Sequence, residues 1–383
     1  MKKLAWLAAF LFATTLQAQV VEPIVDRQAM EVFGESIARA FNERDLEAAS
    51  ALIDVKGLGV RAARFMELKP SDEADYVRGL ESVGTARLLG GLFKSLEAGE
   101  GSVQFMRVTD TRPMRALIRF DLGDNGFDYL EFVVDGRSGR PRAVDWFQLS
   151  TGQLLSVTIG GIGQLFTTSD PSLLGRLLDI KNVDKAQVAT LRRIGELHRA
   201  NKHAEAVALF HQLPEQTANA RIMLTLRAQY AAFAEMQAEY ESTLATMAKR
   251  YSDDPATAFM LIDHYFTVKD YPKALTALEA VEKRVGKDGV TTMLRATVYF
   301  VSGDFANMLK YSEESIGLEP DRIQGYDTRA TALVGLERHA AAVAAYRDME
   351  SRFDLKFTRE IFAADPAFGK FMASDDFRKW LPR

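Results

Sequence analysis

The second half of the chain repeats a residue pattern at a fixed spacing of 34 residues. Residues 303–308 align with residues 337–342 one period later and with residues 269–274 one period earlier. Two further periods back, residues 201–206 carry the same pattern. A period of this length is typical of stacked helical hairpins, in which each pair of helices buries its apolar face against its neighbours. Such arrays more often bind a partner than transform a substrate.

Length, composition and charge define the broad class of protein. A chain of 383 residues exceeds an ordinary single core, so two domains are expected. Apolar residues make up 47% and charged residues 26%, which is a globular balance. The net charge is −4, and loss of Lys2 and Lys3 would change it to −6. A mildly acidic surface gives no general attraction to nucleic acid or anionic lipid.

The N-terminus has the features of a signal peptide. Lys2 and Lys3 precede an apolar run over residues 4–16, and the small residue Ala18 precedes Gln19 at a plausible cleavage point. The run is shorter than the ~20 residues that a membrane-spanning helix needs. Residues 1–18 are therefore predicted to direct export to the periplasm or the outside of the cell, with an uncleaved anchor as the alternative. No later segment is apolar enough to span a membrane.

The first domain, predicted over residues 27–150, changes its periodicity midway. Apolar residues recur at three- and four-residue spacing over residues 27–98, which predicts helices. Four runs with strand-like alternation follow, at residues 102–108, 114–122, 127–134 and 142–149. The short glycine- and proline-containing breaks between them predict a four-stranded antiparallel meander. Helices followed by a meander indicate an α+β fold, with the helices on one face of the sheet.

This order of elements resembles the nuclear-transport-factor-like or cystatin-like roll. The resemblance includes residues 40–49 and the final strand ending Asp145-Trp146-Phe147. Rolls of this kind can hold a small ligand in a cone between helices and sheet. The resemblance implies that Arg119, with Asp145 or Glu131, could anchor a polar group there. The alternative is a solvated sheet face whose exposed ion pairs contribute little.

Residues 151–185 form a predicted junction with short helices. Gly160, Gly161 and Gly163 are expected to loosen it, whereas residues 169–171 provide a helix start before several leucines. Because a free linker is polar, the leucines indicate that this junction packs against another part of the protein.

From residue 187 to 356 the chain resembles the tetratricopeptide repeat family. The five units start near residues 187, 221, 255, 289 and 323. The family's small residues occur as Ala228, Ala296 and Ala330 in the first helices and as Ala206, Ala274 and Ala342 in the second. Such residues allow close approach of paired helices. The resemblance predicts an all-α solenoid, ending in a helical cap over residues 357–383 that is rich in aromatic side chains.

The first helices of such repeats line a concave groove. The corresponding side chains here are Phe233, Phe259, Asp263, Phe266, Met293, Phe300 and Asp327. The family's best-known peptide site uses lysine and asparagine to hold a C-terminal carboxylate, but this face carries two aspartates instead. An aromatic and methionine-containing groove suits an apolar peptide, a helix or a neighbouring part of the chain. The junction helix at residues 171–178 is therefore an alternative occupant.

Motifs for catalysis, metals and cofactors are absent from the sequence. It has no cysteine, no zinc-binding histidine motif and no nucleophile elbow, and neither glycine-rich segment has the spacing of a phosphate loop. No cofactor or metal is expected. The predicted function is an exported, non-catalytic scaffold or adaptor that binds a protein or peptide, and that partner can belong to the same chain. The alternative is a small-ligand-binding or enzymatic roll domain that the repeats dock.

Overall fold

The structure is a computed structural model that describes residues 25–382, except residues 124, 125, 138, 168 and 182. The predicted signal peptide at residues 1–18 lies outside the described residues. The chain divides into two units. The first ends at Gln148 and also holds Gln153–Gln164, and the second holds Leu149–Gly152 and Leu165–Arg383. No helix within the described ranges is long and apolar enough to cross a membrane.

The first unit combines helices with one antiparallel sheet, as predicted for an α+β fold. Its elements are α1 (Arg27–Asn42), α2 (Leu46–Ala51), α3 (Val55–Phe65), α4 (Pro70–Val83), α5 (Thr85–Ala98), β1 (Ser102–Val108), β2 (Ala116–Asp121), β3 (Phe127–Asp135), β4 (Arg142–Gln148), β5 (Gln153–Leu154) and the larger part of α6 (Leu155–Thr167). The sheet order is β1-β2-β3-β4-β5.

The sheet has one strand more than the predicted four-stranded meander. The added strand, β5, is only two residues long and pairs antiparallel with the end of β4, where Phe147 lies opposite Leu154. A two-residue strand is too short to show an alternating pattern in the sequence. It follows a tight turn at Gly152, which has a φ of +68°.

The core of the first unit lies between α1 and one face of the sheet. Phe33 and Phe41 of α1 are buried against Phe120 and Phe132 of the central strands. The rings of Phe41 and Phe120 meet edge to face, with centroids 4.9 Å apart, and the rings of Phe33 and Phe132 lie 5.7 Å apart. Aromatic pairs at such distances add to the stability that burial provides.

Two predicted helical segments differ from the structure. The helical pattern predicted over residues 27–98 is interrupted at Gly84, where a φ of +77° separates α4 from α5. In α6, Gly160 does not loosen the chain but allows close packing, because a Cβ there would lie 3.1 Å from the Ala62 carbonyl oxygen of α3. The glycine therefore serves helix contact, which the sequence alone could not distinguish from a hinge.

The second unit is entirely helical apart from short connections. Its helices are α7 (Pro171–Leu178), α8 (Lys185–Arg199), α9 (His203–Phe210), α10 (Glu215–Ala218), α11 (Arg221–Phe233), α12 (Gln237–Tyr251), α13 (Ala258–Thr267), α14 (Tyr271–Val285), α15 (Gly289–Val301), α16 (Phe305–Leu318), α17 (Ile323–Gly335), α18 (His339–Phe353), α19 (Arg359–Ala363), a 3-10 turn (Pro366–Phe368), α20 (Gly369–Ala373) and α21 (Asp375–Trp380). Five successive helix pairs run from α8 to α18, which is compatible with a helical repeat region.

The turns within these helix pairs keep the 34-residue spacing. A residue with positive φ occurs in each, at Asn201, Glu235, Lys269, Gly303 and Glu337. The backbone N–H after each of these residues donates to a carbonyl five residues earlier, at 2.8–2.9 Å, as from Asp304 to Tyr299. This is the Schellman arrangement, which satisfies carbonyl groups at a helix end and turns the chain. The sequence period therefore corresponds to a repeated backbone conformation.

The small repeat residues are buried at the helix contacts. The alanines at both positions, Ala228, Ala296, Ala330, Ala206, Ala274 and Ala342, are all fully buried. Met308 replaces alanine in the fourth pair and shares a core cluster with Ala296. Because the larger side chain is also buried, the pair accommodates it without exposing apolar surface.

The C-terminal segment packs onto the last helix pair through aromatic side chains. Phe362, Phe371 and Phe377 are almost completely buried in one cluster with Tyr346 of α18. Asp365 and Ser374 cap short helical turns by accepting from the Ala367 and Phe377 backbone N–H groups. Helices this short are not stable alone, so their contacts with α17 and α18 hold them in place.

The turn geometry predicts opposite effects for two glycine substitutions near α16. Gly303 has a φ of +77° and open space where a Cβ would lie, so Gly303→Ala should destabilise the protein by about 1–2 kcal/mol through backbone conformation alone. Gly317 lies inside α16 with equally open space, so Gly317→Ala should stabilise it by about 0.5 kcal/mol. Denaturant unfolding measures both changes, and destabilisation of equal size in both variants would contradict the assignment of the turn.

Candidate binding site

A pocket of about 400 Å³ lies where the last two helix pairs meet the C-terminal segment. The helix pairs contribute Thr297, Phe300, Met308, Asp327, Thr328, Thr331 and Tyr346, and the C-terminal segment contributes Phe357, Ile361, Phe362, Asp365 and Phe368. These twelve residues are hereafter called the terminal pocket. The pocket brings together two of the predicted groove residues, Phe300 and Asp327.

Several walls of the terminal pocket are aromatic and partly open to solvent. Phe300 of α15 is 45% exposed, and Ile361 of α19 is 52% exposed. Tyr346 is buried behind them, and its ring meets that of Phe357 edge to face with centroids 5.0 Å apart. An exposed apolar surface next to a concavity is typical of a contact site for a partner.

Asp327 contributes a carboxylate from the first turns of α17. It is solvent-accessible, but the surrounding protein atoms displace much of its water, and this desolvation raises the pKa of its carboxyl group. Nothing in the described part of the chain donates a hydrogen bond to this carboxylate or forms an ion pair with it. The site therefore holds a negative charge that the protein itself does not neutralise.

The Tyr346 phenol and Asp365 also line the terminal pocket. Burial raises the pKa of the Tyr346 phenol, and the nearby Asp327 charge adds to this effect. Asp365 is exposed and uses one oxygen to accept from the Ala367 backbone N–H at 2.8 Å. No lysine, arginine or histidine occurs among the twelve described lining residues. The pocket is thus aromatic and acidic.

The other predicted groove residues lie outside the terminal pocket. Phe233 is 64% exposed and its ring lies 5.1 Å from that of His203. Burial, together with the nearby Asp263 charge, raises the pKa of Tyr240 to about 12. Phe259, Phe266 and Met293 are partly buried. Of the predicted groove residues, the terminal pocket therefore contains Phe300 and Asp327 alone.

The junction helix does not occupy the terminal pocket. α7 packs against α8 and α11, at the first two helix pairs, whereas the lining comes from the last two pairs and the segment after them. The aromatic residues of the C-terminal segment are what sequence reasoning missed as pocket residues. The sequence predicted them only as part of a helical cap. The 34-residue period ends before this segment, so it could not predict which of its side chains face the repeats.

In the first unit, Asp145 has a complete set of bonding partners. Its Oδ2 accepts from Arg61 Nε at 3.0 Å and from Ser156 Oγ at 2.5 Å, and its Oδ1 accepts from the Ser156 and Trp146 backbone N–H groups. Asp145 is fully buried, so these bonds compensate the lost hydration of the carboxylate. These bonds join α3 and α6 to β4. A ligand that binds Asp145 would have to replace some of them.

Arg119 and Glu131 are also buried, and each has a different partner. Arg119 Nη2 donates to Gln104 Oε1 at 2.7 Å, and Arg115 Nη1 donates to Glu131 Oε2 at 3.3 Å. In β2 and β3 both residues alternate with side chains of the aromatic core. They therefore point away from the space between α1 and the sheet, where the roll resemblance places a ligand. This geometry gives no support to a shared anchor made of Arg119, Glu131 and Asp145.

No family model and no curated protein matches the chain. Among the described residues, no group of three histidine, cysteine, aspartate or glutamate side chains is arranged to hold a metal ion. Functional inference therefore rests on the terminal pocket and the repeated helix pairs.

The environment of Asp327 predicts how stability depends on pH. In the folded state the pKa of Asp327 lies above its ordinary value of 3.8, so its carboxyl group loses its proton at a lower pH in the unfolded chain. The free energy of unfolding therefore decreases as pH rises from about 3.8 through the folded-state pKa. Asp327→Asn should therefore increase Tm slightly at pH 7, and the difference should shrink as pH falls towards 4. Thermal unfolding measures this dependence.

Asp321→Asn is the matched control for this experiment. Asp321 is exposed in the connection before α17 and lies outside the terminal pocket, so its substitution removes the same charge without the same environment. If Asp327→Asn is less stable than Asp321→Asn at pH 7, the Asp327 charge is not destabilised by desolvation, and the prediction is wrong.

Proposed function

We propose that the chain is an exported, non-catalytic scaffold or adaptor of the tetratricopeptide repeat type that binds a polypeptide through its concave groove. The observation that carries the proposal is the terminal pocket, where exposed apolar groups adjoin hydroxyl and carboxylate groups at the end of an array of helix pairs. The pocket includes two of the predicted groove positions, Phe300 of α15 and Asp327 of α17.

The assignment to a solenoid is supported by the regularity of the second unit. Five turns share a residue with left-handed backbone conformation and the same backbone hydrogen bond. These residues are at positions 201, 235, 269, 303 and 337. Equal turns between similar helices favour a constant step from one pair to the next. Such a step would generate an extended groove along the first helices of the pairs.

The exposed apolar side chains beside the terminal pocket favour a polypeptide as its partner. The pocket has a volume of about 400 Å³, and Phe300 and Ile361 add exposed apolar surface to its lining. Side chains of an amphipathic or extended segment can enter such a pocket while its backbone remains at the surface.

Export is part of the proposal and rests on the N-terminal residues 1–18, with their two lysines and apolar run. The intact mass of the protein purified from its native cells tests this part. A chain that starts at Gln19 would support export to the periplasm or the medium, whereas a mass that retains Lys2 and Lys3 would contradict cleavage.

Photocrosslinking in intact cells tests the groove. A photoreactive phenylalanine analogue placed at Phe300 should crosslink a discrete polypeptide, because this side chain is exposed beside the pocket. With that partner purified, Phe300→Ala should weaken its binding at least tenfold, which corresponds to about 1.4 kcal/mol. Calorimetry measures the change in Kd.

Phe65 offers the matched control, since it is a phenylalanine of similar exposure, 41%, on α3 of the first unit. The analogue at position 65 should not capture the same polypeptide, and Phe65→Ala should leave its Kd unchanged. Equal losses of affinity in the two alanine variants, or no crosslinked polypeptide at position 300, would refute a binding role for the terminal pocket.

A further inference from the structure

We infer that the terminal pocket recognises a basic side chain, an arginine or a lysine, within the bound polypeptide. This inference rests on the proposed function, and it adds the chemical class of the residue that the groove selects. The expected occupant is a segment with a basic residue flanked by apolar ones, because the two carboxylates lie among aromatic and aliphatic walls.

Charge complementarity is the first argument. Asp327 and Asp365 line the same pocket from α17 and from the start of the 3-10 turn, and neither has a basic residue as a partner within the described ranges. An ammonium or guanidinium group in the pocket would carry the opposite charge to both carboxylates and could donate hydrogen bonds to the unpaired oxygens of Asp327.

Three basic residues of α17 and the C-terminal segment are engaged outside the terminal pocket. Arg329 of α17 donates to Asp348 of α18 at 2.8 Å, and Arg359 of α19 donates to the Leu381 carbonyl oxygen at 2.7 Å. Lys370 pairs with Glu337 at 2.5 Å. These contacts leave the carboxylates of Asp327 and Asp365 available to a basic group of a ligand.

The aromatic walls are the second argument for a cation. A guanidinium or ammonium group is attracted to the face of an aromatic ring, and the attraction grows when water is displaced. Phe300, Phe357 and Phe368 contribute aromatic rings to the same lining as the two carboxylates. An arginine side chain can place its apolar stem against these rings while its head reaches the acidic groups.

Capping by Asp365 makes the pocket testable without damage to the fold. Its Oδ1 accepts from the Ala367 backbone N–H, and asparagine caps a helix start as well as aspartate does. Asp365→Asn should therefore keep the local structure and remove only the charge. Asp327→Asn likewise breaks no bond, because no described group is bonded to that carboxylate.

The experiment screens the full-length protein, as isolated from cells, against an array of random decapeptides that are acetylated and amidated. Bound peptides should be enriched in arginine or lysine with apolar neighbours. The best binder is then synthesised with arginine and with citrulline, which has the same shape but no charge. We expect the citrulline form to bind at least tenfold more weakly, and added salt to weaken only the arginine form.

Variants assign the effect to the pocket. Asp327→Asn and Asp365→Asn should each lower the affinity for the arginine peptide about tenfold and leave the citrulline peptide nearly unchanged. Asp321→Asn, which removes an exposed charge outside the pocket, should change neither affinity. Unequal effects on the two peptides separate lost recognition from lost folding.

Three other outcomes would overturn the inference. If peptides bind without basic enrichment and both pocket variants bind them normally, polypeptide binding stands and cation recognition fails. If peptides bind only on a second array made without the acetyl group, the pocket recognises a chain end and the inference fails. If no peptide binds on either array, the proposed function fails together with the inference.

Discussion

The second unit depends on one repeated backbone turn. At the end of each first helix a residue adopts a left-handed conformation, and the next N–H closes onto a carbonyl five residues earlier. This hydrogen bond ends the helix at a fixed point and reverses the chain, so the second helix starts at residues 203, 237, 271, 305 and 339. Each helix pair buries its apolar face mainly against the neighbouring pairs. The same turn in every pair therefore allows successive pairs to pack through their buried alanines in the same way.

The first unit depends on a different interaction, the buried carboxylate of Asp145. A carboxylate without hydration is unfavourable unless charged and hydrogen-bonding groups replace the water, and here Arg61, Ser156 and the Trp146 backbone do so. These groups come from α3, α6 and β4. The position of each element therefore depends on the others. The resemblance to the roll fold predicted a ligand-binding role for Asp145, but in the structure its bonds hold α3, α6 and β4 together.

The sequence was sufficient to predict the second unit's helix pairs and the first unit's α+β order, but it did not predict contacts between residues far apart in the chain. The 34-residue period correctly placed the turns because it arises from local helix geometry. The two-residue strand β5 and the break at Gly84 leave weak local patterns, so they were missed. Phe300 and Asp327 were identified as groove residues by repeat position, whereas Asp365 and Ile361 follow the last repeat and only the folded chain brings them to the pocket.

The terminal pocket is built partly from α19 and the 3-10 turn, five and three residues long. Segments of this length have no stability of their own, and they stay in place through contacts of Phe362 and Phe371 with Tyr346. Binding at the terminal pocket and folding of the C-terminal segment would therefore be coupled. A bound polypeptide would stabilise this segment, and local unfolding of the segment would release the polypeptide. Affinity and protection of the segment from hydrogen exchange should then vary together.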